Sequence, residues 1–419
     1  MNDKKIKVLT ISDIPLSTSG VGIQTRNFIE ALLKTGKFKV ISLGGAIKHK
    51  DYKPIKTQEW GDDFVVYPVD NFGNEGTIRS ILRNERPDIM WIMTDPRFFE
   101  WLWIMENEIR SLVPLVYYHV WDNFPHPTFN RQWYLSNDKI VTISKVTDDI
   151  VRHVAPEVEC EYLPHAVNNN IFKPLDEAVV QDLRKNNFGD NKDKVVFFWN
   201  NRNARRKMPA SIIYWFKTFL DKVGHDKAVL LMHTDPKDPN GPDLEAVITE
   251  FGLNNGQVLF STNKLPDQEM AALYNIVDCT INISDAEGFG LGTLESLSCG
   301  TPIIVNMTGG LQEQVTDGNE WFGVPVYPCS KSIVGSQNVP FIFEDKVNEQ
   351  DFVEALEAIY GLSREKRREM GLKGREHVMK NYSFERYQNR WAEMMEEIYN
   401  THGSWSNRKN IQRFTMEVV

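Results

Sequence analysis

The stretch Ser284-Asp-Ala-Glu-Gly-Phe-Gly-Leu-Gly-Thr-Leu-Glu-Ser-Leu-Ser-Cys-Gly-Thr-Pro302 constrains this chain more than any other. An apolar run, Val277 to Ile283, precedes it and reads as a strand. A turn carrying Gly288, Gly290 and Gly292 follows, then a helical run that Gly300 and Pro302 break, then a second buried strand, Ile303 to Val305. Strand, glycine-rich loop, helix and strand in that order aim backbone N–H groups and a helix N-terminus at an anion. Two glutamates bracket the loop. Glu287 lies in the turn and Glu295 about one helical turn into the helix. Carboxylates accept hydrogen bonds from hydroxyls. N–H donors for phosphate beside two carboxylates for sugar hydroxyls read as a nucleotide-sugar site.

A chain of 419 residues exceeds one comfortable core, so two domains are expected. Forty-eight basic against 57 acidic residues give a net charge of -9. That balance argues against a general binder of nucleic acid or anionic membrane, though not against a local basic cleft. Cys160, Cys279, Cys299 and Cys329 are widely spaced and form no metal pattern. Cys279 and Cys299 sit in apolar contexts and read as buried, reduced thiols. The N-terminus shows no apolar signal-peptide region, and no run of about 18 apolar residues exists. A cytoplasmic protein is the expectation.

In the first half, Ile6–Ile11 reads as a buried strand and Ile23–Lys34 as a helix. Gly20 and Gly22 mark the switch between them. That geometry suits a phosphate or sugar approaching the backbone, or merely a tight turn. The dinucleotide fingerprint is not met, because no third glycine follows three residues on. Further strands are predicted at Phe38–Leu43, Phe64–Val69, Ile89–Met93, Leu112–His119 and Lys139–Ile143, with helices near Ile78–Asn84, Pro96–Ser111 and Lys145–Val154. The alternation implies a parallel, doubly wound sheet. The aromatic Pro96–Ser111 segment reads as a core helix rather than a membrane-surface one, because Glu100, Glu106 and Glu108 would be repelled by anionic lipid. His119 closes a predicted strand, and ligands of open α/β sheets bind outside the carboxyl ends of strands. Its alternative is a structural, hydrogen-bonded histidine. Tyr162–Pro174, rich in Asn and Pro, reads as the interdomain connection.

The second half opens with the strand Lys194–Trp199. Arg202, Arg205, Arg206 and Lys207 then supply four cations in six residues. In an acidic chain this local reversal at a strand's carboxyl end points to an anion site. Strands at Ala228–His233 and Val258–Ser261 and helices at Leu244–Phe251 and Pro266–Ile276 lead into the opening stretch. Asn348–Tyr360, Ser363–Tyr382 and Ser383–Tyr399 read as amphipathic helices, and Thr401–Val419 as a polar, loosely docked tail.

Together these residues resemble the retaining glycosyltransferases of the family-4 group. The likeness rests on Glu287 to Glu295 with Cys299-Gly-Thr-Pro302 after it, on Arg202 and Lys207 five apart, and on His119. Gly22 with Gln24 after it and Leu163-Pro-His-Ala-Val-Asn168 complete it. The resemblance implies the GT-B fold, α/β with two Rossmann-like doubly wound parallel-sheet domains facing a cleft. It implies an acceptor domain over residues 1–174, a donor domain over 175–382, and a crossover helix and tail over 383–419 that return to the first domain. Arg202 and Lys207 would neutralise the diphosphate of the leaving nucleotide, aided by backbone N–H groups near Gly288, Phe289, Gly290 and Leu291. Glu287 would hold donor-sugar hydroxyls, Glu295 the ribose hydroxyls, and His119 would orient hydroxyls at the reacting centre. Gly22 would touch phosphate or acceptor. The implied reaction moves a hexose from a nucleotide-diphosphate sugar, a UDP- or GDP-sugar, to an acceptor hydroxyl, without a bound metal or other cofactor. Two departures stand out: Val21-Gly22 replaces the usual Gly-Gly pair, and Arg205 and Arg206 are extra.

A sugar-nucleotide epimerase and a DNA-modifying glucosyltransferase use the same fold. The basic pair and glutamate spacing fit the epimerase less well, and the acidic balance disfavours DNA. The acceptor, a sugar or glycoconjugate, would be chosen by loops near Ser17–Gln24, Thr94–Phe99 and Trp121–Arg131, which carry no readable code. Peripheral contact with a membrane surface is left open.

Overall fold

Short runs of β-branched and aromatic residues, each followed by a helix, build two parallel sheets. The computed structural model describes residues 4–409 and 411. The chain divides into two compact units, one of residues 1–165 with 385–419 and one of residues 166–384. The division falls at His165–Ala166 and Phe384–Glu385, within the Asn- and Pro-rich connection and just inside the last long helix, rather than after residues 174 and 382.

The first unit carries β1 (Ile6–Asp13), β2 (Phe38–Gly45), β3 (Ile55–Lys56), β4 (Phe64–Pro68), β5 (Ile89–Met93), β6 (Leu115–His119), β7 (Lys139–Thr142) and β8 (Glu159–Tyr162). Its sheet runs β3-β4-β2-β1-β5-β6-β7-β8, parallel throughout except for β3 against β4. The helices are α1 (Gly20–Leu33), α2 (Glu75–Glu85), α3 (Glu100–Ile104), α4 (Glu106–Arg110), α5 (Arg131–Leu135) and α6 (Lys145–Val154). The strand order reverses between β1 and β5, so the loops after these two strands flank a switch-point crevice. The aromatic Pro96–Ser111 segment is not one helix. A 3-10 turn, α3 and α4 share it, with Leu102 and Trp103 buried and Phe98 and Ile104 exposed.

The second unit carries β9 (Val195–Asn200), β10 (Ala228–His233), β11 (Val258–Ser261), β12 (Cys279–Asn282), β13 (Ile303–Asn306) and β14 (Gly323–Val326). Their order is β11-β10-β9-β12-β13-β14, all parallel, the doubly wound dinucleotide-fold order with its switch point between β9 and β12. Around it lie α7 (Glu177–Phe188), α8 (Pro209–Val223), α9 (Leu244–Glu250), α10 (Asp267–Ile276), α11 (Leu291–Ser298), α12 (Leu311–Val315), α13 (Glu349–Tyr360) and α14 (Arg364–Asn381). A separate antiparallel hairpin, β15 (Ser330–Val334) with β16 (Ile342–Lys346), stands outside the sheet. The core joins Phe197 and Trp199 of β9 to Ile212, Phe216 and Phe219 of α8 and to Ile281 of β12. Cys279 and Cys299 are buried and unpaired.

The last helix, α15 (Phe384–His402), belongs almost wholly to the first unit. Its Trp391 packs edge-on against Phe28, Trp91 and Tyr118, and Arg390 pairs with Glu161 at 2.6 Å. The segment after it is docked rather than loose. Trp405 N–H donates to the Leu112 carbonyl at 2.6 Å, and the fully buried Arg408 guanidinium meets Asp138 at 2.7 Å. The rest of the expected tail, residues 410 and 412–419, lies outside the described residues. Among the described residues no helix is long and apolar enough to cross a membrane.

Candidate functional site

Lys207 and Glu287 lie 80 residues apart in sequence and meet at the switch point of the second unit. The loop after β9 brings Lys207, and the loop after β12 brings Glu287; these strands are neighbours in the sheet. Lys207 Nζ donates to Glu287 Oε2, which also accepts from Asn282 Nδ2 at 3.2 Å. Both side chains are largely buried, 9% and 13% exposed. Burial pushes the Glu287 pKa up, but Lys207, Arg206 and the hydrogen bonds from Lys207 and Asn282 outweigh it, and the net shift is downward. The carboxylate is therefore charged at neutral pH.

The backbone around this pair is fixed by glycines that accept no substitute. Gly290 has φ +88° and begins α11, and no side chain caps that helix. Its first-turn N–H groups lack intrahelical acceptors and point out of the helix mouth. Gly309 has φ +48°, and a Cβ there would lie 1.8 Å from the Glu287 carbonyl oxygen. Gly310 N–H donates to that same carbonyl at 3.2 Å. Gln314 Nε2 holds the Phe289 carbonyl at 2.7 Å, and the Phe289 ring is buried. Gly288, Phe289, Gly290 and Leu291 thus form a braced turn whose backbone, not its side chains, faces the helix mouth.

Glu295 sits further along α11. Tyr274 Oη donates to Glu295 Oε2 at 2.9 Å, and Asn200 Nδ2, at the end of β9, donates to Tyr274 Oη at 2.8 Å. Burial raises the Glu295 pKa to about 8, so the group binds a proton near neutrality. Gly292 keeps this region open to Tyr274, because a Cβ there would come within 3.1 Å of the phenol oxygen.

The other cations of the basic loop separate. Arg202 is 65% exposed and turned onto Asp238, Nε to Oδ2 at 2.7 Å; its hydrogen bond lowers the Asp238 pKa. Arg205 forks onto Glu344 of β16 at 2.5 and 3.0 Å. Arg206 donates to the Ala286 carbonyl at 2.5 Å. The two extra arginines are therefore engaged in bracing the Gly-rich loop and the hairpin. Lys346 of the same hairpin strand meets Asp285 at 2.5 Å. The sequence reading missed Asn200, Asp238, Tyr274, Gln314, Glu344 and Lys346.

In the first unit, Gly22 and His119 both lie at the carboxyl edge of the sheet, after β1 and at the end of β6. Ser19 caps α1 by accepting from the Gly22 N–H at 3.0 Å, so that N–H is already engaged. A Cβ at Gly22 would lie 2.1 Å from Ser17 Oγ, which makes the loop's close approach the reason for glycine. His119 is enclosed. Its Nε2 meets Tyr134 Oη at 2.7 Å, its Nδ1 has no partner among the described residues, and burial pushes its pKa down to about 3. The ring is neutral at physiological pH. Among the described residues no group of three or more His, Cys, Asp or Glu is placed to hold a metal ion.

Two doubly wound sheets, the second with a basic loop and an uncapped helix mouth at its switch point, define an α/β protein of the GT-B class. Residues 180–377, within the second unit, match the family described as Glycosyl transferases group 1. The sucrose-phosphate synthase of Thermosynechococcus elongatus superposes with a TM-score of 0.74 at 16% identity, over 94% of this chain and 100% of that one. The HepE protein of Anabaena, solved in complex with UDP and glucose, superposes with a TM-score of 0.68 at 14% identity, over 94% and 100%. The D-inositol 3-phosphate glycosyltransferase of Streptosporangium roseum is 25% identical over 215 residues, which is 47% of this chain and 46% of that protein. The match spans less than half the length of the curated relatives.

Proposed function

We propose that this protein is a retaining glycosyltransferase that moves a hexose from a nucleotide-diphosphate sugar to an acceptor hydroxyl. The observation that carries the reading is the buried Lys207–Glu287 pair beside the uncapped mouth of α11, at the switch point of a doubly wound sheet. The group 1 domain and a neighbour solved with UDP support a nucleotide-sugar donor. UDP is the donor nucleotide this reading favours.

In this reading the diphosphate lies against the first-turn N–H groups of α11 and the Lys207 ammonium, with Arg202 released from Asp238 to join them. The bond from the anomeric carbon to the diphosphate oxygen breaks, and its electron pair goes to the diphosphate. The acceptor oxygen bonds the same carbon on the same face, and the hydroxyl proton ends on the departing diphosphate. Fixed positive charge where negative charge develops lowers the barrier. Glu287, kept ionised by its neighbours, accepts from donor-sugar hydroxyls, and Glu295 accepts from the ribose. Gly22 and His119 belong to the acceptor side of the first unit, where a neutral imidazole orients hydroxyls without acting as a strong base.

A thermal-shift screen against UDP-, GDP-, ADP- and dTDP-sugars tests the donor. We expect UDP-sugars to raise the melting temperature of the wild type and to lose that effect in Lys207→Ala. Turnover in Lys207→Ala and Glu287→Ala should fall by orders of magnitude with folding intact. Full activity in both variants would overturn the assignment. The anomeric configuration of the product, read by NMR, tests retention.

A further inference from the structure

At the opposite, amino end of the second unit's sheet lies a cavity of about 290 Å³, lined by Val277 and Asp278 before β12 and Gly300 to Pro302 before β13. Four arginines line it, Arg184, Arg364, Arg367 and Arg368, against three carboxylates, Glu177, Asp278 and Glu365. The buried carboxylate is already saturated. Asp278 accepts from Arg184 Nη1 at 3.1 Å and from Val196 N–H at 2.9 Å, and it meets Arg367 Nη2 at 3.3 Å. Glu177 is paired with Arg364 at 2.9 Å.

Positive charge is left over. Arg368 donates from Nη1 to the carbonyls of Cys299 and Gly300 at 3.1 and 3.3 Å, and among the described residues no carboxylate pairs with it. Burial, the largest influence, lowers its pKa; the charge of Glu177, itself paired with Arg364, acts in the opposite direction without offsetting it. Arg367 is only 9% exposed, and its Nη1 and Nη2 are already spent on backbone carbonyls and Asp278. The natural partner of surplus guanidinium charge lining a cavity is an anion.

We propose that this cavity binds the phosphate group of a small phosphate monoester, held by Arg364 and Arg368. Planar guanidinium forks match phosphate oxygens, and several of them converge here. The cavity's volume lies at the small end of ligand pockets, which suits a sugar phosphate and excludes a whole nucleotide-diphosphate sugar. The site is distinct from the donor site, because Lys207 and Glu287 follow the carboxyl ends of β9 and β12.

Calorimetric titration of the full chain with glucose 6-phosphate and, separately, with inorganic phosphate tests this. The wild type should bind glucose 6-phosphate at least tenfold more tightly than inorganic phosphate. Arg364→Gln and Arg368→Gln, at the cavity's more accessible rim, should each weaken binding about tenfold. Lys207→Ala should leave it unchanged. Absence of binding by both probes at millimolar concentration would overturn the proposal. So would binding lost in Lys207→Ala but kept in the arginine variants, which would put the anion at the donor site. Equal affinity for the two probes would overturn the ester assignment.

Discussion

Replacing Lys207 by Met removes one half of a pair whose members are 9% and 13% exposed. The Glu287 carboxylate would then stay buried with only Asn282 Nδ2 and the more distant Arg206 charge to balance it. Removing one partner of a buried ion pair costs about 3–5 kcal/mol, most of it the stranded charge. Hydrogen exchange of the β9 amides, in the centre of the second unit's sheet, reads this cost locally. Loss of about 3 kcal/mol accelerates exchange through full opening roughly a hundredfold. Glu287→Gln strands the Lys207 ammonium instead and should cost a similar amount. The double variant leaves no stranded charge, so its cost should be at least about 1.5 kcal/mol below the sum of the singles. The pH dependence has a definite sign. In the wild type the Glu287 pKa is depressed, so its contribution is present above the unfolded value of about 4.5 and is lost as pH falls through the folded value. In Lys207→Met burial dominates and the carboxyl pKa rises, so the variant's deficit should shrink as pH falls from 7.5 towards 5. Additive single costs, or a deficit that is the same at both pH values, would refute the buried-pair argument.

Glu295→Gln tests the raised carboxyl of α11. With a folded pKa of about 8 against 4.5 unfolded, the wild type carries a penalty that is absent below pH 4.5 and complete above pH 8. Because the side chain is partly accessible, that penalty is about 1–3 kcal/mol, and Glu295→Gln should be more stable than the wild type at pH 8.5 and equal to it near pH 4.5 by thermal melting. If Glu295 accepts from ribose hydroxyls, UDP should bind the wild type more tightly as pH rises through 8, and this trend should vanish in the variant. Gly309→Ala would drive a Cβ to 1.8 Å from the Glu287 carbonyl oxygen at φ +48°, so thermal melting should show a loss of more than about 2 kcal/mol and calorimetry a loss of donor binding. Gly318→Ala, with φ +94° and nothing within 4 Å, should cost only about 1–2 kcal/mol of backbone strain. Arg205→Ala should change UDP affinity by less than about threefold, because Glu344 already occupies that guanidinium; a loss matching that of Lys207→Ala would show that it grips the diphosphate.

Legibility in the sequence followed the strength of local signals. Ile89–Met93, Ala228–His233 and Val258–Ser261 were readable to the residue because each is a short apolar run between turn residues. The edge strand β8, Glu-Cys-Glu-Tyr, was not, because a charged edge strand has no buried face to give it a pattern. The β15–β16 hairpin escaped for a similar reason: it lies outside both main sheets, and its only buried residue is the charged Glu344. The aromatic Pro96–Ser111 segment misled, because aromatic density mimicked a single buried helix while Phe98 and Ile104 face solvent. At the site, residues contiguous with the Gly-rich loop were legible. Their partners were not: the sheet order sets β10, and with it Asp238, beside β9, while Tyr274 comes from α10 and Glu344 from the hairpin outside the sheet.

The same sheet order explains how one short loop accommodates so much charge. Four cations after β9 would repel one another if left to solvent and to themselves. Each has instead a separate acceptor: Asp238 for Arg202, Glu344 for Arg205, the Ala286 carbonyl for Arg206 and Glu287 for Lys207. These acceptors differ in how easily they release their cation. The Arg202 pair is exposed and screened, so an arriving anion can redirect it at little cost. The Arg205 guanidinium is just as exposed, at 67%, but its carboxylate partner Glu344 is also held by Lys346 at 2.8 Å, which fixes the acceptor in place. Lys207 is buried, and its desolvation is already met in the folded protein, so its field acts on a bound anion without reorganisation at the moment of reaction. Burial thus sets Lys207 apart from Arg202 and Arg205, which are equally exposed at 65% and 67% and differ in what else holds their carboxylate partners, within six residues that the sequence presents as one basic run.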